Sequence, residues 1–477
     1  MKSIIKFIII LFLGYNSASA QKELLTYDTK GFIMDDFTVY LSSTREFITM
    51  FKKKTEDMPP RFFTYLVFKK TDTEISEIKL TGDLQFKGYA CENNIFTFLY
   101  QNNLPNRQIS KIYQLMDVSK DGILLKSNTL NIGDEDFILR FSYRMKLYFL
   151  TVNDREDLIS LRTISDSNTI DIASIAVDKS IIRYLKEANL SFANPDIEPS
   201  KYGSGDSRII PLGNNKFRIF TSAKIDDKKN DFIKSITLDF ANHEQTLMSL
   251  KSPYKSYGCF ATLKELYLIN ASFSQINLDI FSSEDFIKIK SHTFNKANVS
   301  SVLFESPLFN NEDSLEFKDK QSKINRIFRK FSIGSAFISA LNFSDKIRIT
   351  IGTSIMSGGG GSFGPVGGGS VSTPMGSVST GGGMAFHGGY GSGDDYYLYL
   401  ILDKNYESMN YSYQKSRTEI LEDFISSKKQ EDKKLFSNYD IVKTSTKCYL
   451  LTVSNKYKTI KLYEWGIPYP NSEQPKQ

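Results

Sequence analysis

The side chains best suited to chemistry in this 477-residue chain are three histidines, three cysteines and two short acidic turns. His243, His292 and His387 lie far apart, and none falls at metal-ligand spacing from another His or a Cys. A zinc site needs three or four such ligands close together, so no metal is expected. His387 sits in a Gly-rich stretch, and His243 and His292 are read as following outer strands, as surface or turn residues rather than catalytic bases. Cys91, Cys259 and Cys448 are odd in number, so at least one is unpaired. Buried free thiols are expected, with one long-range disulfide as the alternative. Asp117-x-Ser119-x-Asp121-Gly122 opens like a calcium loop, but the twelfth position is Asn128 where a bidentate Glu is required. It is read as a solvated turn, as is the stretch from Asp226 and Asp227 to Asp231. No H-E-x-x-H is present. No catalytic residue and no cofactor is therefore assigned.

The elements that would have to position such groups are strands. Residues 94–130 read as strand, polar turn, strand, Asp/Gly turn, strand. Ile95, Phe96, Phe98 and Tyr100 make the first strand bulky and β-branched or aromatic. Residues 101–108 break it with Asn, Pro and Arg. A second strand is expected over 109–116, a turn over 117–122 and a third strand over 123–130. Similar units recur at 61–82, 146–165, 216–240, 265–282, 346–403 and 447–465, which with the template makes seven. The units resemble blades of a β-propeller, four-stranded sheets whose central two strands are the best patterned. The expected fold is all-β: a propeller of about seven blades, with six or eight as the neighbouring counts. It would occupy residues 21–477 as one domain, with two separate β domains as the alternative. Only 12 residues follow Trp465. The last sheet is therefore expected to take its outer strand from residues 31–43, which contain FTVYLSS, removing an exposed edge.

Three stretches interrupt the repeats. Residues 180–202 begin with IIRYLKEANL and read as one short helix and a loop. Residues 417–435 place Ile420, Leu421, Phe424 and Ile425 at helical spacing, for a second helix packed outside its blade. Residues 356–395 carry four glycine clusters between KIRITIGTS and YYLYLILD, so they form an insertion within a hairpin. They hold no Lys or Arg and no G-x-x-x-x-G-K-[ST], and a strand follows where a nucleotide-binding loop needs a helix. Their composition is flexible. Phe363, Met375, Met384, Phe386 and Tyr390 are scattered through them and are the candidate partner-binding residues.

Residues 1–20 read as an export signal: Lys2 and Lys6, an apolar run from Ile4 to Leu13, and the small residues Ala18, Ser19 and Ala20. That run is too short for an ordinary membrane span. Cleavage would lower the net charge from +6 to +4, too mild to suggest nucleic acid as partner. The expected address is the periplasm, the outer membrane surface or the exterior. In these features the chain resembles the periplasmic propeller subunits that dock on outer-membrane insertion machines, and is similar to a propeller subunit of type 9 secretion complexes. The resemblance implies a non-catalytic protein-interaction subunit whose partner is an integral outer-membrane protein. The alternative is a secreted propeller that binds or degrades glycans in its central funnel, for which a single Trp provides a poor stacking platform although Tyr can substitute.

Overall fold

Two kinds of strand differ in composition, and the difference decides where each sits. KLYFLTVN (Lys146–Asn153) and QINLDIFS (Gln275–Ser282) are buried on both faces along their length. LLKSNTLN (Leu124–Asn131) and EQTLMSLK (Glu244–Lys251) are mainly exposed. Apolar runs that bury both faces belong inside a stack of sheets, and polar strands belong at its rim. The computed structural model describes residues 21–28, 32–40, 47–54, 62–69, 75–81, 84–93, 95–102, 112–119, 123–188, 190–193, 207–221, 232–251, 258–296, 335–343, 345–355, 383–384, 394–409, 438–443, 448–454 and 459–465. A few isolated residues lie between these segments.

Among these residues the strands form seven antiparallel sheets, each built from strands close in sequence, and the chain is a β-propeller. The first sheet is Phe32–Tyr40, Phe47–Lys54, Phe62–Lys69 and Ile75–Thr81. The second is Leu84–Glu92, Ile95–Asn102, Ile112–Ser119 and Leu124–Asn131. The third is Asp136–Tyr143, Lys146–Asn153, Leu158–Ile164 and Ile170–Ala176. The fourth is Arg208–Gly213, Lys216–Thr221, Phe232–Asp239 and Glu244–Lys251, with Ser191–Phe192 added in parallel beside its first strand. The fifth is Gly258–Ala261, Glu265–Ala271, Gln275–Ser282 and Lys288–Asn295. The sixth pairs Ser335–Phe343, Lys346–Ile355 and Asp394–Asp403. The seventh holds Asn438–Lys443, Cys448–Ser454 and Thr459–Trp465.

Closure is by the N-terminal end of the described chain, but not by the strand expected. Gln21–Asp28 pairs antiparallel with Thr459–Trp465, Gln21 opposite Trp465. Residues 31–43 instead contribute Phe32–Tyr40, the first strand of the first sheet. The repeat register also needs one correction. In the second to seventh sheets the best-patterned run is the second strand, whereas unit 61–82 is the third and fourth strands of the first sheet. FFTYLVFK at Phe62–Lys69 is simply more apolar than the true second strand, FITMFKKK. In the template, the second of its three strands is Ile112–Ser119 rather than 109–116.

Adjacent sheets pack face to face on hydrocarbon. Leu99, Tyr113 and Leu115 of the second sheet meet Leu147, Phe149 and Ile164 of the third. Leu150, Leu161 and Ile175 of the third meet Phe217, Ile219 and Ile236 of the fourth. Ile210 and Phe220 of the fourth meet Leu266 and Leu268 of the fifth. Ile269, Leu278 and Ile280 of the fifth meet Ile338, Ile349 and Leu400 of the sixth. The helix expected within 180–202 is helix α1, Lys179–Glu187, which buries Ile181, Ile182, Tyr184 and Leu185 against the third and fourth sheets. Of the helix expected at 417–435, only Ser427 is among the described residues, and it is helical. In the sixth sheet Gly352 faces Phe337 across the ladder, and a Cβ there would lie 2.0 Å from the Phe337 ring. Only glycine leaves that ring its place.

Candidate functional site

Chain direction sorts the turns. Because strands alternate, the turns between first and second and between third and fourth strands share one face of the propeller, here called the hairpin face. Turns between second and third strands, and the links from sheet to sheet, lie on the opposite face. The Gly-rich insertion leaves after Ile355 and returns at Asp394, on the opposite face. Of its candidate residues, Phe363, Met375, Phe386 and Tyr390 lie outside the described residues. Met384 is placed in backbone only: Gly383–Met384 pairs with Val442 and Ile441, beside the first strand of the seventh sheet. His387 and the acidic stretch 226–231 also lie outside the described residues, as do residues 1–20 of the expected export signal.

The remaining residues singled out by type turn out to be structural. Asp117 is no solvated turn. It lies inside Ile112–Ser119 and is buried. It accepts hydrogen bonds from the Thr97 hydroxyl at 2.7 Å, from the Ser167 amide at 3.1 Å and from the Ser167 hydroxyl, tying the second sheet to the third. His243 is in the turn before the outer strand of the fourth sheet, with Nδ1 3.0 Å from the Ser174 carbonyl. His292 lies within the outer strand Lys288–Asn295, with Nε2 2.8 Å from the Tyr406 carbonyl. Both nitrogens face a carbonyl, so both donate. Cys91 is a buried free thiol, and Cys259 is buried. Burial pushes the Cys91 thiol up to about 11, the inert side of its range. Among the described residues no cluster of His, Cys, Asp and Glu has the makings of a metal site.

Two features missed at the sequence level remain. The first is an apolar rim. Seven of the ten exposed large hydrophobics among the described residues stand on or near the hairpin face: Ile123, Leu124, Leu125, Ile172, Leu263, Ile287 and Ile289, each between 40% and 64% exposed. Ile123, Leu124 and Leu125 are consecutive at the start of the second sheet's outer strand, which is an edge. Edge strands in soluble proteins usually carry charge there, because an apolar edge invites another chain.

The second feature is cationic. Lys87, Arg140 and Arg208 occupy the first strands of the second, third and fourth sheets and are buried. The ladder shifts between Phe86 and Gly88, which makes Lys87 the extra residue of a β-bulge. Arg140 Nε donates to the Lys87 carbonyl at 2.8 Å. Beside it the Ser142 hydroxyl donates to the Tyr89 carbonyl at 2.6 Å and accepts from the Tyr89 amide at 3.2 Å. Arg208 Nη1 donates to the Ala261 carbonyl at 3.0 Å, its guanidinium 4.1 Å from the centre of the Phe260 ring. Burial, and then the neighbouring Arg140, pull the Lys87 ammonium down to about 7. Burial lowers Arg140 and Arg208 to about 10. A sequence signal existed: a lone cation inside an apolar run, as in DFILRFSY around Arg140.

No helix among the described residues is long and apolar enough to cross a membrane. No protein-family model matches the chain, and no curated protein sequence matches it. Solved structures do. The Dos1 propeller aligns over 93% of this chain and 95% of its own, at 6% identity and a TM-score of 0.36. Cobalt-substituted apocarotenoid oxygenase of Synechocystis aligns over 54% of this chain and 61% of its own, at 11% identity and a TM-score of 0.30. A protein of Listeria monocytogenes EGD-e aligns over 57% of this chain and 67% of its own, at 10% identity and a TM-score of 0.28. The chain thus spans about three fifths of the oxygenase's length.

Proposed function

We propose that this propeller is a non-catalytic docking subunit of the cell envelope, serving an outer-membrane or secretion complex as a surface for other proteins. The supporting observation is the apolar rim on the hairpin face. Exposing Ile123, Leu124 and Leu125 in sequence costs free energy in the isolated chain, and covering them recovers about 25 cal/mol per Å². A protein partner with an apolar patch supplies that cover. The Gly-rich insertion leaves from the other face, so the two docking candidates are separable. The test is copurification from native membranes with three proteins: the parent, Leu124→Asp with Leu125→Asp, and a chain whose residues 356–395 are replaced by a Gly-Ser turn. The rim variant is expected to keep its melting temperature and lose an integral outer-membrane partner. Undiminished capture by the rim variant sinks the proposal. A melting shift with a carbohydrate panel, and no protein captured, favours the glycan-binding alternative.

A further inference from the structure

The third sheet contains two buried arginines treated in opposite ways. Arg162, 6% exposed, is answered by a carboxylate: Nη1 lies 2.6 Å and Nη2 3.0 Å from the two oxygens of Glu135, with Thr151 as a further acceptor at 2.8 Å. This forked pair is how a structural arginine is buried. Arg140, 5% exposed, meets no carboxylate among the described residues. Its Nε is fixed to the Lys87 carbonyl, and its cationic centre stands 4.9 Å from the middle of the Phe137 ring. Its two terminal nitrogens have no protein acceptor among the described residues. Among the described residues, the titratable groups that face it are the Tyr113 hydroxyl and the Lys87 side chain, and neither is a carboxylate. Arg208, on the first strand of the next sheet, repeats the arrangement. It too is tied to a carbonyl, and its buried Nε has no partner. Burying a cation without a counter-charge costs several kcal/mol, and the chain carries that cost where first strands line the propeller's axis.

We propose that the first strand of the third sheet binds a small oxyanion, a carboxylate, sulfate or phosphate group, on the Arg140 fork. The anchored Nε leaves the two terminal amino groups as parallel donors, the geometry that matches two oxygens of such a group. The bulge at Lys87 serves the same site, because the extra residue frees the carbonyl that orients Arg140.

The experiment is a melting series at fixed ionic strength, in chloride and with chloride replaced by inorganic phosphate, sulfate or acetate, backed by calorimetric titration of the parent. The parent is expected to melt higher with at least one oxyanion than in chloride, and the three arms distinguish the chemistries. Arg140→Met is expected to melt higher than the parent in chloride, since an unanswered buried charge is gone, and to bind the same anion roughly tenfold more weakly or worse. Arg140→Lys is expected to recover part of the response. Three results would overturn the site: equal melting of the parent in all four salts with no heat on titration, a full anion response in Arg140→Met, or a lower melting point of Arg140→Met in chloride. The last would make Arg140 only a tie to the Lys87 carbonyl.

Discussion

Near the axis, the second and third sheets meet through a guanidinium and a serine hydroxyl, each bonded to a backbone carbonyl, while the fifth and sixth meet through Phe260, Ile338, Ala340 and Ile349. Both are contacts between neighbouring sheets of one propeller, so fold geometry asks the same of each. The apolar version is what stability alone selects, since each buried aliphatic side chain contributes about 1.5–3 kcal/mol. The polar version has to satisfy every donor and acceptor merely to break even. It does so at Asp117 and Ser142, and leaves the tip of Arg140 open. That contrast separates contacts that hold sheets together from a contact shaped for something else.

The contrast can be broken at either interface. The largest effect is expected from Ile349→Ala. Ile349 is fully buried in the cluster between the fifth and sixth sheets, and removing its branched side chain should cost about 3–4 kcal/mol in denaturant unfolding. A cost below about 1 kcal/mol would mean that this interface relaxes freely and is no rigid reference. Next comes Asp117→Ala, which strands the Thr97 hydroxyl, the Ser167 amide and the Ser167 hydroxyl without their shared acceptor. Its expected cost is about 2 kcal/mol. Asp117→Asn keeps one carbonyl oxygen and should recover roughly half of that. An Ala variant as stable as the parent would show that water replaces the carboxylate and that the polar interface is not closed.

How much of this was legible in the sequence follows burial. The second strands of the second to seventh sheets were readable because runs such as KLYFLTVN are apolar on both faces, a pattern local sequence displays. The first sheet was read one strand late because Phe47–Lys54 ends in three lysines. The closing strand was assigned to 31–43 instead of Gln21–Asp28 because pairing register is a long-range property, and either segment can alternate correctly. At the candidate sites the failure ran the other way. Histidines and acidic turns attracted notice by residue type, yet His243, His292 and Asp117 are inter-sheet ties. Lys87 looked like an ordinary basic residue of a strand. DFILRFSY marks Arg140 as a cation in an apolar run, but its partner lies 53 positions away in sequence, which no local window contains.

The smallest predicted effect sharpens the comparison at the outer end of the apolar interface. There His292 stacks on Phe294 and donates from Nε2 to the Tyr406 carbonyl, while Tyr406 donates its hydroxyl to Glu265 at 2.9 Å. Lys290 and Glu407, themselves an ion pair, are the charges nearest the ring. Burial is the largest influence on His292 and holds it below the ordinary 6.5; Lys290 adds to this, and the Tyr406 carbonyl and Glu407 oppose it. A histidine whose pKa is lower folded than unfolded takes up its proton first in the unfolded chain. Its contribution is therefore complete above about 6.5 and is lost as pH falls through the folded value. Between pH 7.5 and 5.5 the parent should lose up to about 1 kcal/mol from this group. His292→Gln keeps a donor for the Tyr406 carbonyl but cannot titrate, so its stability should fall less over the same interval. Parallel pH profiles for the two proteins would place the acid sensitivity elsewhere. A parent that gains stability on acidification relative to His292→Gln would reverse the sign, meaning that Glu407 rather than burial governs the ring.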